Sequence, residues 1–133
     1  MNPMDKPVIL VVDDEANVRH MLVEFLESRF DCKFREASDG EEAVNFIKTN
    51  PCDVILLDIK MPKKSGIEVI KEAKVLNPKV DIFVISAWVS DEVSEEAMKL
   101  GATDYAVKPV DMQAIVLKFT NILEKRGYKV SKI

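Results

Sequence analysis

Hydrophobic positions along the chain change period repeatedly, from short continuous runs to three-and-four spacing and back. Val8-Ile9-Leu10-Val11-Val12 is an unbroken aliphatic run of the kind that suits a strand covered on both faces of a parallel sheet. It stops at Asp13-Asp14-Glu15. Val18, Met21, Leu22, Phe25 and Leu26 then recur at helical spacing, closing near Arg29. Cys32 to Ala37 reads as a shorter, more polar edge strand. Asp39-Gly40 reads as a turn, and Ala43, Phe46 and Ile47 as the apolar side of a second helix stopped at Asn50-Pro51. Val54-Ile55-Leu56-Leu57 predicts a third strand, again ending in an aspartate, Asp58. A loop, Ile59 to Ser65, leads to Gly66 and a helix through about Leu76 with Ile67, Ile70 and Ala73 facing inward. Ile82-Phe83-Val84-Ile85 predicts a fourth strand ending at Ser86. A fourth helix follows with Ser90 as N-cap, carries Val93, Ala97 and Leu100, and stops at Gly101. Tyr105-Ala106-Val107 is a short fifth strand. The last helix starts after Asp111 and buries Met112, Ile115, Val116, Phe119, Ile122 and Leu123.

Five strands alternating with five helices through short connections predict an α/β, doubly wound sandwich around a parallel sheet. A single domain over residues 1–133 is expected, with a core from about 8 to 124 and a polar C-terminal tail over 125–133. With so little chain after the last helix, no output domain is expected within it. Both a stand-alone protein and a piece of a longer one fit. In 133 residues, apolar residues at 47% and charged residues at 32% place the chain among globular proteins. A formal net charge of -4 argues against nucleic acid or an anionic membrane surface as partner. No stretch approaches the roughly 18 apolar residues of a membrane span, no leader pattern precedes Val8, and two cysteines, Cys32 and Cys52, fit a reduced compartment as small buried side chains. A cytoplasmic location is the expectation.

In a doubly wound fold ligands gather beyond the carboxyl ends of the strands. Asp13 and Asp14 follow the first strand, Asp58 the third, Ser86 ends the fourth, and Lys108 follows the fifth. A parallel sheet brings them to one rim. Three crowded carboxylates would either raise a pKa or demand a cation, and an all-oxygen set selects magnesium, with manganese as the alternative. Such a site suits a phosphoryl group, with Lys108 supplying charge, Ser86 a hydroxyl donor, and Asp58 a carboxylate able to be phosphorylated. Taken singly, each residue has a plainer reading: Asp13 and Asp14 as acids at a helix N-terminus, Asp58 and Ser86 as turn residues, Lys108 as a solvated charge. His20 reads as a surface helix residue. Asp91, Glu92, Glu95 and Glu96 read as a solvated face or, more sharply, as a partner surface.

The sequence resembles the response-regulator receiver domains of two-component signalling, chemotaxis regulators among them. The likeness runs from Ile9 to about Glu124. It is carried by Val11-Val12-Asp13-Asp14-Glu15, Leu57-Asp58-Ile59-Lys60-Met61-Pro62, Gly66, Ser86-Ala87, Gly101-Ala102-Thr103-Asp104-Tyr105 and Lys108-Pro109. It implies a flavodoxin-like (βα)5 fold with strand order 2-1-3-4-5, and a phosphorelay role in which a histidine kinase or phosphotransfer protein delivers a phosphoryl group to Asp58. It further implies Asp13, Asp14, Asp58 and the Lys60 backbone carbonyl around Mg2+, and Ser86, the Ala87 backbone amide and Lys108 on the phosphoryl group. Pro109 would follow a cis peptide bond that orients Lys108. Ser86 and Tyr105 would form a switch that moves the face made by the fourth helix, fifth strand and fifth helix, where a partner, an output domain or a phosphorylation-dependent second copy would bind. Tyr105 could also be simple edge-strand packing. Lys60 and Trp88 stand where family members vary and would modulate access of water to the phosphate, Trp88 by shielding it. Turnover beyond self-catalysed phosphotransfer and dephosphorylation is not expected. A haloacid-dehalogenase-type phosphatase would need an Asp-x-Asp pattern after the first strand, and a flavin carrier a hydroxyl-rich phosphate loop there. A receiver-like module that is never phosphorylated is the nearest alternative.

Overall fold

Strand and helix alternate through the computed structural model, which describes residues 6–59, 65–87, 91–109 and 111–130. The order is β1 (Val8–Val12), α1 (Ala16–Glu27), β2 (Lys33–Ala37), α2 (Gly40–Thr49), β3 (Val54–Leu57), α3 (Gly66–Leu76), β4 (Asp81–Ser86), α4 (Asp91–Lys99), β5 (Asp104–Val107) and α5 (Met112–Lys125). The strands form one parallel sheet in the order β2-β1-β3-β4-β5, so the direction of winding reverses beside β1.

The period of two along each strand divides the core in half. Leu10, Val12, Ile55, Leu57, Ile82 and Val84 face α2, α3 and α4, where they meet Val44, Val69, Ile70, Ala73 and Ala97. Ile9, Val11, Leu56, Phe83 and Ile85 face α1 and α5, where they meet Leu22, Leu26, Ile115 and Phe119. On that side Phe30 and Phe119 stack edge to face with ring centroids 4.8 Å apart. Each fully buried side chain of this size stabilises the fold by about 1.5–3 kcal/mol. The uninterrupted apolar runs of β1 and β3 follow from their central positions. The outer strand β2, by contrast, buries only Ala37 completely.

Helix boundaries have local causes. Asp39 accepts from the Glu42 backbone N–H at 2.9 Å, Ser65 from that of Glu68 at 3.3 Å, and Asp111 from that of Gln113 at 3.0 Å. Ser90, the expected cap of α4, lies outside the described residues. The α4 end is a Schellman motif: Gly101 sits at φ +111, with Gly101 N–H bonded to Met98 O at 3.1 Å and Ala102 N–H to Ala97 O at 3.0 Å.

Three expectations shift. Met21 is 53% exposed, whereas Val23, not singled out from the sequence, is buried beside Leu22 and Leu26. Three-and-four spacing in this helix fits two adjacent stripes, and contact with the sheet selects one. In α3, Val69 is fully buried and Ile67 only partly, for the same reason. The segment after residue 125, expected to be a polar tail, folds back over the described residues 126–130. Gly127, at φ +93, makes a second Schellman turn through Gly127 N–H to Glu124 O (3.0 Å) and Tyr128 N–H to Leu123 O (3.1 Å). Tyr128 and Val130 are thereby turned onto the α1–α5 core. The Arg126 guanidinium reaches Asp81 Oδ2 at 2.8 Å and Asp53 Oδ1 at 3.1 Å, and Tyr128 OH donates to Asp53 Oδ1 at 3.1 Å. These contacts clasp the starts of β3 and β4, at the edge of the sheet away from the acidic rim.

Candidate functional site

A parallel sheet sends every strand end to one rim, and there the candidate side chains meet. Asp13 and Asp14 follow β1, Asp58 follows β3, Ser86 closes β4 and Lys108 follows β5. The backbone seats them by continuing the ladder: Asp58 N–H bonds to Val12 O at 3.0 Å, and Lys108 N–H to Ser86 O at 3.0 Å. Asp13 (5% exposed) and Asp58 (7%) are buried, Ser86 completely so, while Asp14 is open to solvent.

Carboxylate oxygens of Asp13, Asp14 and Asp58 all lie within 4.8 Å of one another. Lys108 Nζ sits 2.9 Å from Asp13 Oδ2 and 3.3 Å from Asp58 Oδ2. Burial alone would lower the Lys108 pKa. The hydrogen bond to Asp13 and the fields of Asp58 and Asp13 outweigh it, so the ammonium is held above its ordinary range and stays charged. The Ser86 hydroxyl donates to Asp58 Oδ1 at 2.9 Å. Among the described residues, Asp13, Asp14 and Asp58 gather around Lys108 in a small cluster of carboxylate oxygens, two of whose acids are removed from water. That donor set fits a hard divalent cation with a solvent-facing side at Asp14.

Glycine is required at the start of α3. A Cβ on Gly66 would press on the Ile59 backbone and sit 3.0 Å from Asp58 O. Its absence lets the helix start pack against the strand end that carries Asp58, with Gly66 N–H bonded to Ile59 O at 2.9 Å. The Lys108–Pro109 peptide is cis. Ala87 follows Ser86 at the same rim and is exposed. Lys60 and Trp88 lie outside the described residues.

Tyr105 pairs in register with Val84, and Ser86 with Val107. Since residues two apart share a sheet face, Tyr105 and Ser86 lie on the same side of the sheet, on adjacent strands. The Tyr105 side chain stands outward, 38% exposed. His20, on α1, is exposed and lies 3.2 Å from Glu36. Its neighbour Arg19 was missed by sequence reasoning. Arg19 donates from Nη1 to the Asp13 carbonyl at 2.7 Å and from Nε to Glu36 Oε1 at 2.8 Å, tying α1 and β2 to the first acidic turn. The available signal was one arginine on the first turns of a helix that follows two acids. Asp13 Oδ1 also accepts from Glu15 N–H at 2.9 Å, which shapes that turn.

Comparison with known proteins decides the family. Residues 9–120 match the model of the response regulator receiver domain. The chain belongs to that family. Chemotaxis protein CheY of Thermotoga maritima is 37% identical over 81% of this chain and 90% of its own length. A cyclic di-GMP phosphodiesterase of the same organism is 34% identical over 90% of this chain. The chain spans 32% of the length of that protein, and 26% of the length of the transcriptional regulatory protein ZraR of Klebsiella oxytoca and of the regulatory protein AtoC of Escherichia coli. Among solved structures, a response regulator of Burkholderia pseudomallei with a phosphorylated aspartic acid and a calcium ion superposes with a TM-score of 0.79. It is 27% identical, over 90% of this chain and 71% of that one. The receiver domain described here is homologous to the chemotaxis protein CheY and to the regulatory proteins AtoC and ZraR. Receiver domains bind a divalent metal at an acidic pocket, and Asp13, Asp14 and Asp58 form such a pocket here. Among the described residues no helix is long and apolar enough to cross a membrane.

Proposed function

We propose that this receiver domain takes a phosphoryl group from the phosphohistidine of a sensor kinase or phosphotransfer protein onto Asp58, in the cytoplasm, with Mg2+ in the acidic pocket. The described residues act as one receiver unit. The observation that carries the reading is the convergence on Asp58 of Lys108 at 3.3 Å and the Ser86 hydroxyl at 2.9 Å, beside Asp13 and Asp14.

In the transfer an Asp58 carboxylate oxygen forms the new bond to phosphorus as the bond from phosphorus to the donor's imidazole nitrogen breaks. Asp13, Asp14 and Asp58 would hold Mg2+, which when bound would supply positive charge to the phosphoryl oxygens. Lys108 neutralises charge on the same oxygens, and its standing bonds to Asp13 and Asp58 keep it charged and aimed before the donor arrives. The Ser86 hydroxyl, already directed at Asp58, donates to a phosphoryl oxygen, together with the Ala87 backbone amide. Arg19 acts at one remove, steadying the Asp13 turn.

Movement of Ser86 toward the phosphoryl group frees space on the sheet face it shares with Tyr105, and inward rotation of Tyr105 then alters the surface of α4, β5 and α5. A downstream protein, an output domain or a second copy reads that surface. Exposed Val107 and Tyr105 on β5 and the exposed acids Glu92, Glu95 and Glu96 on α4 support its use as a docking face.

Incubation with acetyl phosphate and Mg2+ followed by intact-mass measurement tests the reading. A phosphate-mass adduct on the wild type that Asp58→Asn does not form is expected. Equal adducts on both proteins, or none on the wild type, would overturn it.

A further inference from the structure

Tyr105 is held from outside the sheet by a residue of the last helix. Lys118 on α5 donates from Nζ to the Tyr105 backbone carbonyl at 2.8 Å and pairs with Asp104 Oδ1 at 3.2 Å. The same Asp104 oxygen accepts from the Tyr105 backbone N–H at 2.8 Å. So anchored, Lys118 Nζ lies over the Tyr105 ring, 5.6 Å from its centroid, within the range of cation–π attraction.

These contacts do not respond alike to a turn of the ring. The carbonyl and Asp104 stay with the backbone of β5, so they fix the ammonium whichever way the tyrosine points. The ring contact exists only in the outward arrangement, because moving χ1 from one staggered well to another carries the ring away from the ammonium. Lys118 therefore has a differential interaction with the two positions of Tyr105, which is the condition for biasing a two-state element.

We infer that Lys118 is a positioning residue that holds Tyr105 outward in the resting domain and so raises the threshold for the phosphorylation-driven switch. This rests on the reading of Tyr105 as the switch proposed above. An exposed cation–π contact shifts such a ratio about two- to fivefold. Removing it moves the unphosphorylated domain toward the inward arrangement by that factor, with the acceptor chemistry at Asp58 untouched.

Nuclear magnetic resonance of ring-labelled tyrosine provides the test. The chain has two tyrosines, Tyr105 and Tyr128, so Tyr105→Phe assigns the signals. Tyr105 side-chain populations are measured in wild type, Lys118→Met and Lys118→Arg, each with and without acetyl phosphate and Mg2+. Lys118→Met should raise the inward-to-outward ratio two- to fivefold before phosphorylation, and Lys118→Arg, which keeps a cation over the ring, should restore the wild-type value. If phosphorylation moves Tyr105 but Lys118→Met leaves the resting ratio unchanged, the inference is wrong and the switch reading stands. If Tyr105 ignores phosphorylation in every protein, the switch reading falls and the inference with it.

Discussion

Ser86 donates its hydroxyl to Asp58 across 2.9 Å, from the end of β4 to the end of β3, with Ser86 wholly buried. The bond ties the proposed acceptor to the strand that neighbours Tyr105. A preorganised donor aimed where charge develops contributes strongly to transfer. Ser86→Ala is accordingly expected to slow phosphorylation by acetyl phosphate about tenfold or more, while Ser86→Thr, which keeps a hydroxyl, stays near wild type. Rates followed by intact mass check this, and equal rates for wild type and Ser86→Ala would remove Ser86 from the mechanism.

Metal should stabilise the fold as well as enable the chemistry. At one hundred times its dissociation constant, Mg2+ raises the unfolding free energy by about 2.7 kcal/mol, and a chelator reverses the gain. Asp14→Asn, which neutralises the exposed acid of the cluster, should lose most of it. Urea unfolding with and without Mg2+ measures both effects, and an unchanged midpoint in the wild type would argue against the pocket as a cation site.

Far from that rim, Arg126 bridges Asp53, which precedes β3, and Asp81, which starts β4. Its planar fork reaches both carboxylates, and lysine presents only one point of charge. Arg126→Ala should cost about 2–3 kcal/mol, discounted from a fully buried pair because all three side chains keep some solvent contact, and Arg126→Lys should recover less than half. Denaturant unfolding of the two variants decides. A cost below about 0.5 kcal/mol would reduce the clasp to a surface contact.

Cys52 gives the fold an alkaline limit. Burial, reinforced by nearby Asp53, pushes its thiol up from the ordinary 9.0 to about 12. Between those two values the unfolded chain loses a proton that the folded chain keeps. Stability from this group is therefore complete below about pH 9 and is lost as pH rises toward 12, at up to about 1.4 kcal/mol per pH unit. Unfolding free energies at pH 8 and pH 10.5 should differ less in Cys52→Ala than in wild type. Identical differences would show that Cys52 is not the source.

The rim was legible in the sequence because it depends on backbone direction. Once β1, β3, β4 and β5 are recognised as parallel, Asp13, Asp58, Ser86 and Lys108 must share an edge, whatever the packing details. Gly101 marked the end of α4 because positive φ favours glycine. Contacts of long side chains were less legible. Arg19 reaches a carbonyl and Arg126 two carboxylates distant in the chain, and nothing in their local sequence states those partners. Gly127 signalled its turn as Gly101 did, but the polar residues around it masked the return of Tyr128 to the core. Met21 and Val23 exchanged places because helical spacing leaves a rotation of one residue undetermined until the sheet selects a face.

Asp58 is the side chain that should carry the phosphate. Borohydride reduction of the acetyl-phosphate-treated protein converts an aspartyl phosphate to homoserine, and peptide mass spectrometry then locates it. Homoserine at position 58, and at no other acid, is the predicted result. Homoserine at Asp13 or Asp14, or none in a protein shown to bind Mg2+, would contradict it.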